Sequence, residues 1–257
     1  MKREYTGCRP VLALILASAL TLGAFLDLAR AGDPGGVALI YNGPVSGEDC
    51  PESAAAVARE AGLTVRFMTR PQDLPGLLPG TAVFILGGTT DELAPLMREF
   101  TPEARIALTN YLRQGGRYLG ICGGGFMAST SWEEAVGVVE GLGLVSASTT
   151  THDEDFSPRI LPITWLGKVW PMYVRAGPAF HPRPGPEPMR PLATYANGEL
   201  AALVAGYGRG KLALTGPHPE ARDSWPEEAS GGKTWVSTTH LLVDLLQELL
   251  SDAPVGR

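Results

Sequence analysis

The chain has 257 residues, of which 44% are apolar and 19% are charged. This length and composition allow a substantial buried core and exclude a chain that is disordered throughout, so we expect one globular domain. The formal net charge of −6 argues against a nucleic-acid partner, because such a surface needs clustered Lys and Arg to replace phosphate counterions.

Residues 1–31 predict a secretory signal peptide. Basic residues at positions 2, 3 and 9 precede the apolar stretch Val11–Leu22, and small residues near position 30 allow cleavage after Ala31. An uncleaved membrane anchor is the alternative, but the apolar stretch is shorter than the roughly 20 residues that a spanning helix needs. We therefore expect a mature domain of residues 32–257 that is periplasmic or secreted and contacts a membrane only through an uncleaved signal.

Beyond the signal, short β-rich segments alternate with helix-like segments. This pattern is typical of an α/β fold with a mostly parallel sheet and helices on both faces. The predicted strands are Val37–Tyr41, Leu63–Met68, Thr81–Leu86, Arg117–Ile121, Leu200–Ala205 and Lys211–Thr215, and the predicted helices are Glu48–Ala61, Thr101–Gln114 and Trp235–Leu250. Prolines interrupt the β-like pattern of 142–170, which predicts irregular strands or hairpins flanking the sheet, and Ala179–Pro191 is predicted to be a proline-rich loop.

A cysteine among glycines is the most informative motif in the chain. The predicted strand Arg117–Ile121 leads directly into Cys122 and Gly123-Gly-Gly125. Glycines allow the sharp strand-to-helix turn that exposes a nucleophile, and the start of a helix favours thiolate over thiol. Cys122 is therefore a candidate nucleophile, although a glycine-rich strand end can also serve only tight helix–strand packing.

A histidine and an acid follow in Gly216-Pro-His218-Pro-Glu220. Residues two apart in an extended segment point the same way, so Glu220 is positioned to orient His218, which is the candidate base for Cys122. The backbone N–H of Gly123, with one from Gly87 or Gly88 at the neighbouring strand end, is the candidate oxyanion hole. A solvated His-Pro-Glu turn is the alternative interpretation.

Other chemistry-bearing residues give weaker indications. Cys50, near the start of a predicted helix, is interpreted as a small buried apolar residue. The segment His152-Asp-Glu-Asp155 resembles a metal-ligand cluster, but no matching set follows at zinc-like spacing, so we predict a solvated acidic loop and no metal site.

Several stretches together resemble a known family. They are Tyr41-Asn-Gly-Pro44, Phe84-Ile-Leu-Gly-Gly88, Gly116-Arg-Tyr-Leu-Gly-Ile-Cys122, Ala201-Ala-Leu-Val204, Tyr207-Gly-Arg-Gly-Lys211 and Leu214-Thr-Gly-Pro-His-Pro-Glu220. The chain resembles the class I glutamine amidotransferase-like superfamily and, within it, the biotin-protein ligase N-terminal domain-like family.

The resemblance implies a flavodoxin-like fold in which Cys122, His218 and Glu220 form a triad beside the Gly87-Gly88 loop. Relatives in that family tend to have alanine after the cysteine, whereas this chain has Gly123, which we expect to loosen the turn. Nothing in the chain resembles a ligase or a biotin-binding domain, so biotinylation is not implied.

Three functional hypotheses follow from these residues. The first is an exported hydrolase that cleaves an amide or related acyl bond of a small molecule or peptide through a Cys122 thioester, with no cofactor and with a protein partner possible. The second is a non-catalytic module that binds a ligand or partner in the same cleft. The third is a redox switch in which Cys50 and Cys122 pair.

Overall fold

The structure, a computed structural model, describes residue 1 and residues 35–90, 92–135, 137–225, 229 and 236–256. The chain divides into two compact units, Met1–Pro34 and Gly35–Arg257, and the fold described below is that of the second. The predicted signal peptide and its cleavage position lie outside the described residues, so export stays a prediction.

Strands and helices alternate along the first half of the second unit, and strands dominate the second half. The strands, β1 to β13 in chain order, are Val37–Tyr41, Thr64–Met68, Thr81–Leu86, Arg117–Ile121, Ser131–Glu134, Gly137–Glu140, Ala147–Thr151, Arg159–Trp165, Lys168–Val174, Pro178–Pro182, Met189–Thr194, Leu200–Tyr207 and Gly210–Thr215. Within the described residues the helices, α1 to α6, are Cys50–Glu60, Leu74–Leu77, Ala94–Glu99, Pro102–Arg113, Gly123–Ala128 and Thr239–Leu250. No helix among the described residues has the length and apolar character needed to cross a membrane.

One large sheet organises the fold. Its strand order is β2-β1-β3-β4-β13-β12-β11-β8-β9, with β10 pairing to β12 and β7 pairing to β10. The first five strands in this order are parallel and follow the order of flavodoxin-like folds, whereas β12, β11, β8 and β9 continue the sheet in antiparallel fashion. The predicted α/β class with a largely parallel central sheet is confirmed.

The two faces of the parallel strands bury separate cores. Along β1, Ala38 and Ile40 belong to the core that α1 and α6 cover, and Leu39 and Tyr41 belong to the core that α4 covers. This alternation follows from the two-residue period of a strand, and it places helices on both faces of the sheet. Ligands bind in such sheets at the carboxyl ends of the parallel strands, where the loops after β1, β3, β4 and β13 meet.

The prediction of a proline-rich loop over Ala179–Pro191 is wrong. Its first residues belong to β10 and its last to β11, which leaves 183–188 as the connection. Proline is tolerated in both strands because Pro182 ends β10 and Pro191 lies at a register shift between β11 and β12, where a ladder N–H is not needed.

Two further predictions need smaller corrections. The region 142–170 contains a regular hairpin, β8 and β9, that extends to Val174 and pairs through β11 into the main sheet, with Pro162 opposite Pro171. The closing helix begins at Thr239, and the predicted start at Trp235 lies outside the described residues.

Candidate active site

Cys122 occupies the turn between β4 and α5. Its backbone has φ 50° and ψ −105°, which L residues rarely adopt, and its N–H donates to the Thr215 carbonyl at 2.7 Å. The bond fixes the end of β4 to the end of β13, the strand that leads to His218. The residue is 8% exposed, so the thiol lies at the bottom of a site rather than on the surface.

Close backbone contacts explain the glycines around the cysteine. A Cβ on Gly124 would lie 1.9 Å from the Leu86 carbonyl oxygen, and one on Gly120 would lie 2.6 Å from the Gly124 carbonyl oxygen. A Cβ on Gly123 would lie 2.0 Å from the Thr89 hydroxyl. Glycine at position 123 therefore leaves room for Thr89.

His218 and Glu220 form a buried pair just after β13. Nδ1 of His218 lies 2.8 Å from Oε1 of Glu220, and the two residues are 3% and 2% exposed. The prolines on either side of His218 are held by hydroxyls: Thr215 donates to the Pro217 carbonyl at 2.9 Å, and Thr238 donates to the Pro219 carbonyl at 3.2 Å. The structure therefore brings the two predicted residues together in one fixed segment.

The same imidazole lines the cleft together with Cys122. Burial acts to lower the pKa of His218, but the charges of Glu220 and Cys122 outweigh burial and raise the pKa to about 10. The imidazole therefore holds a proton at neutral pH. The three predicted triad residues lie together, with Glu220 at Nδ1 of the ring and Cys122 in the same cleft.

A carbonyl oxygen also faces the thiol. Cys122 Sγ donates to the Arg175 carbonyl at 3.6 Å, directly before Ala176, which has φ 51°. Asp49, at the N-terminus of α1, has φ 59°. Three of the non-glycine residues with positive φ, Asp49, Cys122 and Ala176, thus line one cleft, which is the kind of clustering that strained functional sites have.

The predicted oxyanion-hole glycines differ in position. Gly88 and Gly123 line the cleft. The Gly87 carbonyl accepts from Gly124 N–H at 3.2 Å. A Cβ on Gly88 would lie 2.8 Å from His218 Cε1 and 2.7 Å from Cys50 Sγ, so only glycine fits between these side chains.

Cys50 lies in the cleft with Cys122, and both thiols are free. Burial, and then the charge of Glu220 and the neighbouring Cys122, raise the pKa of the Cys50 thiol, while a hydrogen bond with the Gly88 backbone opposes them. The sequence-based interpretation of Cys50 as a buried small side chain agrees with its 7% exposure.

The cleft has a volume of about 590 Å³ and combines an aromatic wall with a charged rim. The aromatic residues that line it are Phe126, Trp132, Phe156, Tyr173 and Trp225, and the charged ones are Glu48, Asp49, Glu92, Arg98, Glu133, Glu134 and Arg175. Glu134 closes one side, because its carboxylate accepts from Leu93 N–H at 2.9 Å and from the Trp132 indole at 2.8 Å. Sequence reasoning identified none of the aromatic residues, since single aromatics on strands and turns carry no spacing signal.

The acidic segment His152–Asp155 folds into an ion-pair cluster. His152 Nδ1 lies 2.7 Å from Glu199, and its ring stacks on Tyr195 at 3.6 Å between centroids. Arg159 pairs with Asp153 at 2.7 Å. Among the described residues, no group of three or more His, Cys, Asp or Glu side chains is arranged to hold a metal ion.

Part of the chain that forms this cleft is similar to a known domain family. Residues 53–160 match the CobB/CobQ-like glutamine amidotransferase domain. The match includes Cys122 and ends before His218. The chain thus contains a region similar to this amidotransferase domain, and the likeness of the remaining residues rests on the fold.

Curated relatives are similar to this chain over about a hundred residues. The cobyric acid synthase of Cereibacter sphaeroides is 36% identical over 113 residues, which is 40% of this chain and 22% of that protein. The cobyric acid synthase of a Bradyrhizobium strain is 37% identical over 101 residues, 37% of this chain and 20% of that protein. The chain spans about a fifth of the length of these relatives.

Solved structures share the fold of the chain. The structure of PurLQS from Thermotoga maritima has a TM-score of 0.58 at 14% identity and covers 84% of this chain and 99% of that chain. A glutamine amidotransferase from the same organism has a TM-score of 0.59 at 13% identity with the same coverage. Identities this low show the fold alone.

Proposed function

We propose that the chain is a cysteine-nucleophile amide hydrolase of the glutamine amidotransferase type, with Cys122 as nucleophile, His218 as acid and base, and Glu220 as the group that orients the imidazole. The observation that carries the proposal is the buried His218–Glu220 pair at 2.8 Å, whose imidazole lines the same cleft as Cys122. This is the geometry by which a base and its orienting acid activate a nucleophile.

The proposed reaction has two halves. In the first, Cys122 attacks the carbonyl carbon as the thiolate paired with protonated His218, the C–N bond breaks, and His218 gives its proton to the leaving amine, which leaves a thioester. In the second, His218 takes a proton from water, the hydroxide attacks the thioester, and the thiolate leaves. Backbone N–H groups of Gly123 and Gly88 are the proposed donors to the tetrahedral oxyanion.

The setting of the enzyme is part of the proposal. We infer that it is exported, that the signal is cleaved after Ala31, and that it belongs to the family resembling the biotin-protein ligase N-terminal domain. Its substrate is a small-molecule or peptide amide, and it needs no cofactor. N-terminal sequencing of the protein recovered outside the cytoplasm tests the export step: a mature terminus other than Gly32 contradicts the cleavage position.

Acyl-enzyme trapping tests the chemistry. The native protein is incubated with a panel of amides that begins with glutamine, quenched in acid, and examined by intact and peptide mass spectrometry. We expect an acyl adduct on the Cys122 peptide and none in Cys122→Ala, while Cys50→Ala keeps the adduct. Amide hydrolysis that persists in Cys122→Ala contradicts the proposal.

A binding module is the second candidate, and one observation favours it. The Arg175 carbonyl accepts from the Cys122 thiol, and a carbonyl acceptor stabilises a thiol rather than a thiolate. If the protein binds members of the panel with equal affinity in native and Cys122→Ala forms, without an adduct or turnover, this reading replaces the hydrolase.

A further inference from the structure

Two aromatic rings enclose the imidazole of His218. Its centroid lies 5.6 Å from that of Tyr173, with an interplanar angle of 80°, and 5.5 Å from that of Trp225, with an angle of 75°. The Tyr173 and Trp225 rings contact each other at 5.3 Å. All three rings therefore touch pairwise, in the tilted and edge-to-face arrangements that aromatic pairs prefer.

The backbone fixes both aromatic residues to the histidine. Tyr173 lies near the end of β9, and His218 N–H donates to its carbonyl at 2.9 Å in an isolated antiparallel bridge. Trp225 is brought back by the turn after His218, in which Ala221 N–H donates to the His218 carbonyl at 3.2 Å and Trp225 N–H donates to the Arg222 carbonyl at 3.0 Å. Backbone hydrogen bonds therefore determine the positions of both rings next to His218.

The remaining edges of the imidazole are also occupied. Nδ1 faces Glu220 at 2.8 Å, and Cε1 lies against Gly88, where no Cβ would fit. With Tyr173 and Trp225 on further sides, rotation of the ring would break a hydrogen bond or create a clash. The orientation that joins Glu220 to Cys122 through the ring is thus held by packing as well as by hydrogen bonding.

The two aromatic residues also cover part of the His218 ring where it lines the cleft. Both line the cleft; Tyr173 is buried and Trp225 is half-buried, whereas the Glu220 side chain behind them is fully buried. Water admitted beside the ring would screen the charge of Glu220, because charge interactions weaken as the local dielectric rises. Of the two rings that cover the imidazole, Trp225 is the more exposed.

We propose that Trp225 and Tyr173 are positioning residues that lock the His218 ring between Glu220 and Cys122 and keep water away from it. This inference rests on the proposed function for its role in catalysis, but the effect on His218 can be measured without any substrate. The titratable groups facing the imidazole are Glu220 and Cys122, with Tyr173 in ring contact and Cys50 beyond Gly88.

The proposal predicts the direction in which the pKa of His218 moves when the cover is removed. Burial lowers the pKa of His218, but the charges of Glu220 and Cys122 outweigh burial and raise the pKa to about 10; because solvation weakens both effects, it returns the pKa toward its ordinary value. We expect Trp225→Ala to lower the pKa by at least about one unit. Trp225→Phe, which keeps an aromatic ring, should stay close to the native value.

Nitrogen-15 NMR of histidine-labelled protein measures this pKa directly, with His218→Asn used to assign the signal. Phe156→Ala is the matched control, since Phe156 lines the same cleft and is 55% exposed, and it should leave the His218 titration unchanged. Tyr173→Phe against Tyr173→Leu repeats the comparison if Trp225→Ala does not fold. Unchanged titrations in Trp225→Ala or in Tyr173→Leu overturn the proposal.

Catalysis supplies a second, separate readout. If trapping detects an acyl-enzyme, Trp225→Ala should slow its formation and narrow its pH range, and Trp225→Phe should restore both. If no acyl-enzyme forms in the native protein, the hydrolase proposal fails while the NMR result still decides whether the aromatic rings position His218.

Discussion

The parallel and antiparallel halves of the sheet make different contributions to the cleft. The loops after the parallel strands β3, β4 and β13 carry Gly88, Cys122 and His218, the groups proposed to react. The antiparallel strand β9 carries Tyr173 and leads into Arg175, which surround those groups. The reacting groups thus come from one half and much of their environment comes from the other.

The two halves also differ in how they hold their residues in place. The parallel half relies on backbone approaches so close that only glycine fits, as at Gly124 against the Leu86 carbonyl. The antiparallel half relies on bulky rings and ion pairs, as in the stack of His152 on Tyr195. Substitutions at the cleft end of the first half should therefore damage chemistry, and those in the second half should act through packing.

Replacing His218 tests the largest expected effect. His218→Ala should slow formation of the Cys122 acyl-enzyme by about 10²–10⁴-fold, the range expected for loss of a general acid or base. His181→Ala is the control, because His181 lies on β10 in the antiparallel half and contacts Thr150 at 2.8 Å. Rapid-quench mass spectrometry gives both rates, and a His218→Ala rate within threefold of native rules out the assigned role.

The pH dependence of stability tests the charge pairing within the site. The folded-state pKa of His218, about 10, lies above its unfolded value, so its contribution is complete below about pH 6.5 and is lost as pH rises through about 10. The free energy of unfolding should fall across this window by at most about 1.4 kcal/mol per pH unit from this group. Urea unfolding at several pH values measures the slope.

Glu220→Gln should flatten that slope, because the amide keeps a hydrogen-bond acceptor for Nδ1 but not the charge. Glu199→Gln is its counterpart in the antiparallel half, where Glu199 pairs with His152 at 2.7 Å. Asn197 and His152 lower the pKa of Glu199, so its contribution changes only in acid, below this window. Equal slopes for native and Glu220→Gln proteins would show that Glu220 does not hold the proton on His218.

Adding a methyl group in the turn between β4 and α5 tests the close contacts that the glycines of the parallel half allow. Gly123→Ala places a Cβ 2.0 Å from the Thr89 hydroxyl, and overpacking of this kind destabilises a protein by about 1–3 kcal/mol. Thr89→Ala removes the two nearest atoms, so the double variant should recover part of the lost stability. Additive losses in the double variant would show that Thr89 is not the obstacle.

These contrasts explain which features could be predicted from the sequence. The strands Val37–Tyr41 and Thr81–Leu86 were predicted at their observed bounds because a buried parallel strand is a continuous apolar run between turn residues. The meeting of Cys122, His218 and Glu220 could be predicted because motif order and the parallel topology place all three at one sheet edge. Gly87 could not be told from Gly88, since their difference lies in local backbone direction.

The strands and site residues of the antiparallel half were harder to predict from the sequence, for physical reasons. Prolines at strand ends and at a register shift hid β10 and β11, because their missing N–H groups matter only in the middle of a ladder. Tyr173 and Trp225 meet His218 through a bridge and a turn that no local period encodes. That aromatic residues far apart in the sequence line one cleft can be predicted only once the long-range strand pairing is known.

A substitution at the end of the parallel strands away from the cleft should lower stability and leave the chemistry intact. Lys211, at the start of β13, donates from Nζ to the carbonyls of Ser251 at 2.6 Å and Ala253 at 2.8 Å, beyond the end of α6. Burial and the nearby Arg117 lower the pKa of this lysine. Lys211→Met should destabilise by about 1–3 kcal/mol in urea unfolding, because Nζ also donates to the Glu248 carbonyl at 3.2 Å, which the helix end leaves open, and all three bonds are charge-assisted.

The matched control for Lys211 is Lys168, whose ammonium lies 3.8 Å from the centre of the Trp170 ring on the exposed hairpin. Lys168→Met should change the unfolding free energy by less than Lys211→Met, since exposed cation–π contacts contribute about 0.5–1 kcal/mol. Both variants should keep the native rate of Cys122 alkylation. A slower rate in Lys211→Met would mean that the helix end and the cleft are coupled.

The smallest expected effect lies at the tip of the β8–β9 hairpin and has the opposite sign. Leu166 and Gly167 have φ 46° and 82°, and Leu166 is 65% exposed. Two-residue hairpin turns with positive φ at both positions favour Asn-Gly, whereas the left-handed region costs an ordinary L residue about 1–2 kcal/mol. Leu166→Asn should therefore stabilise the protein, by about 1 kcal/mol or less, because asparagine tolerates this conformation. Leu166→Ala, which removes the exposed side chain without gaining that tolerance, should show little change, and an equal gain in both variants would assign the effect to lost apolar surface instead of backbone strain.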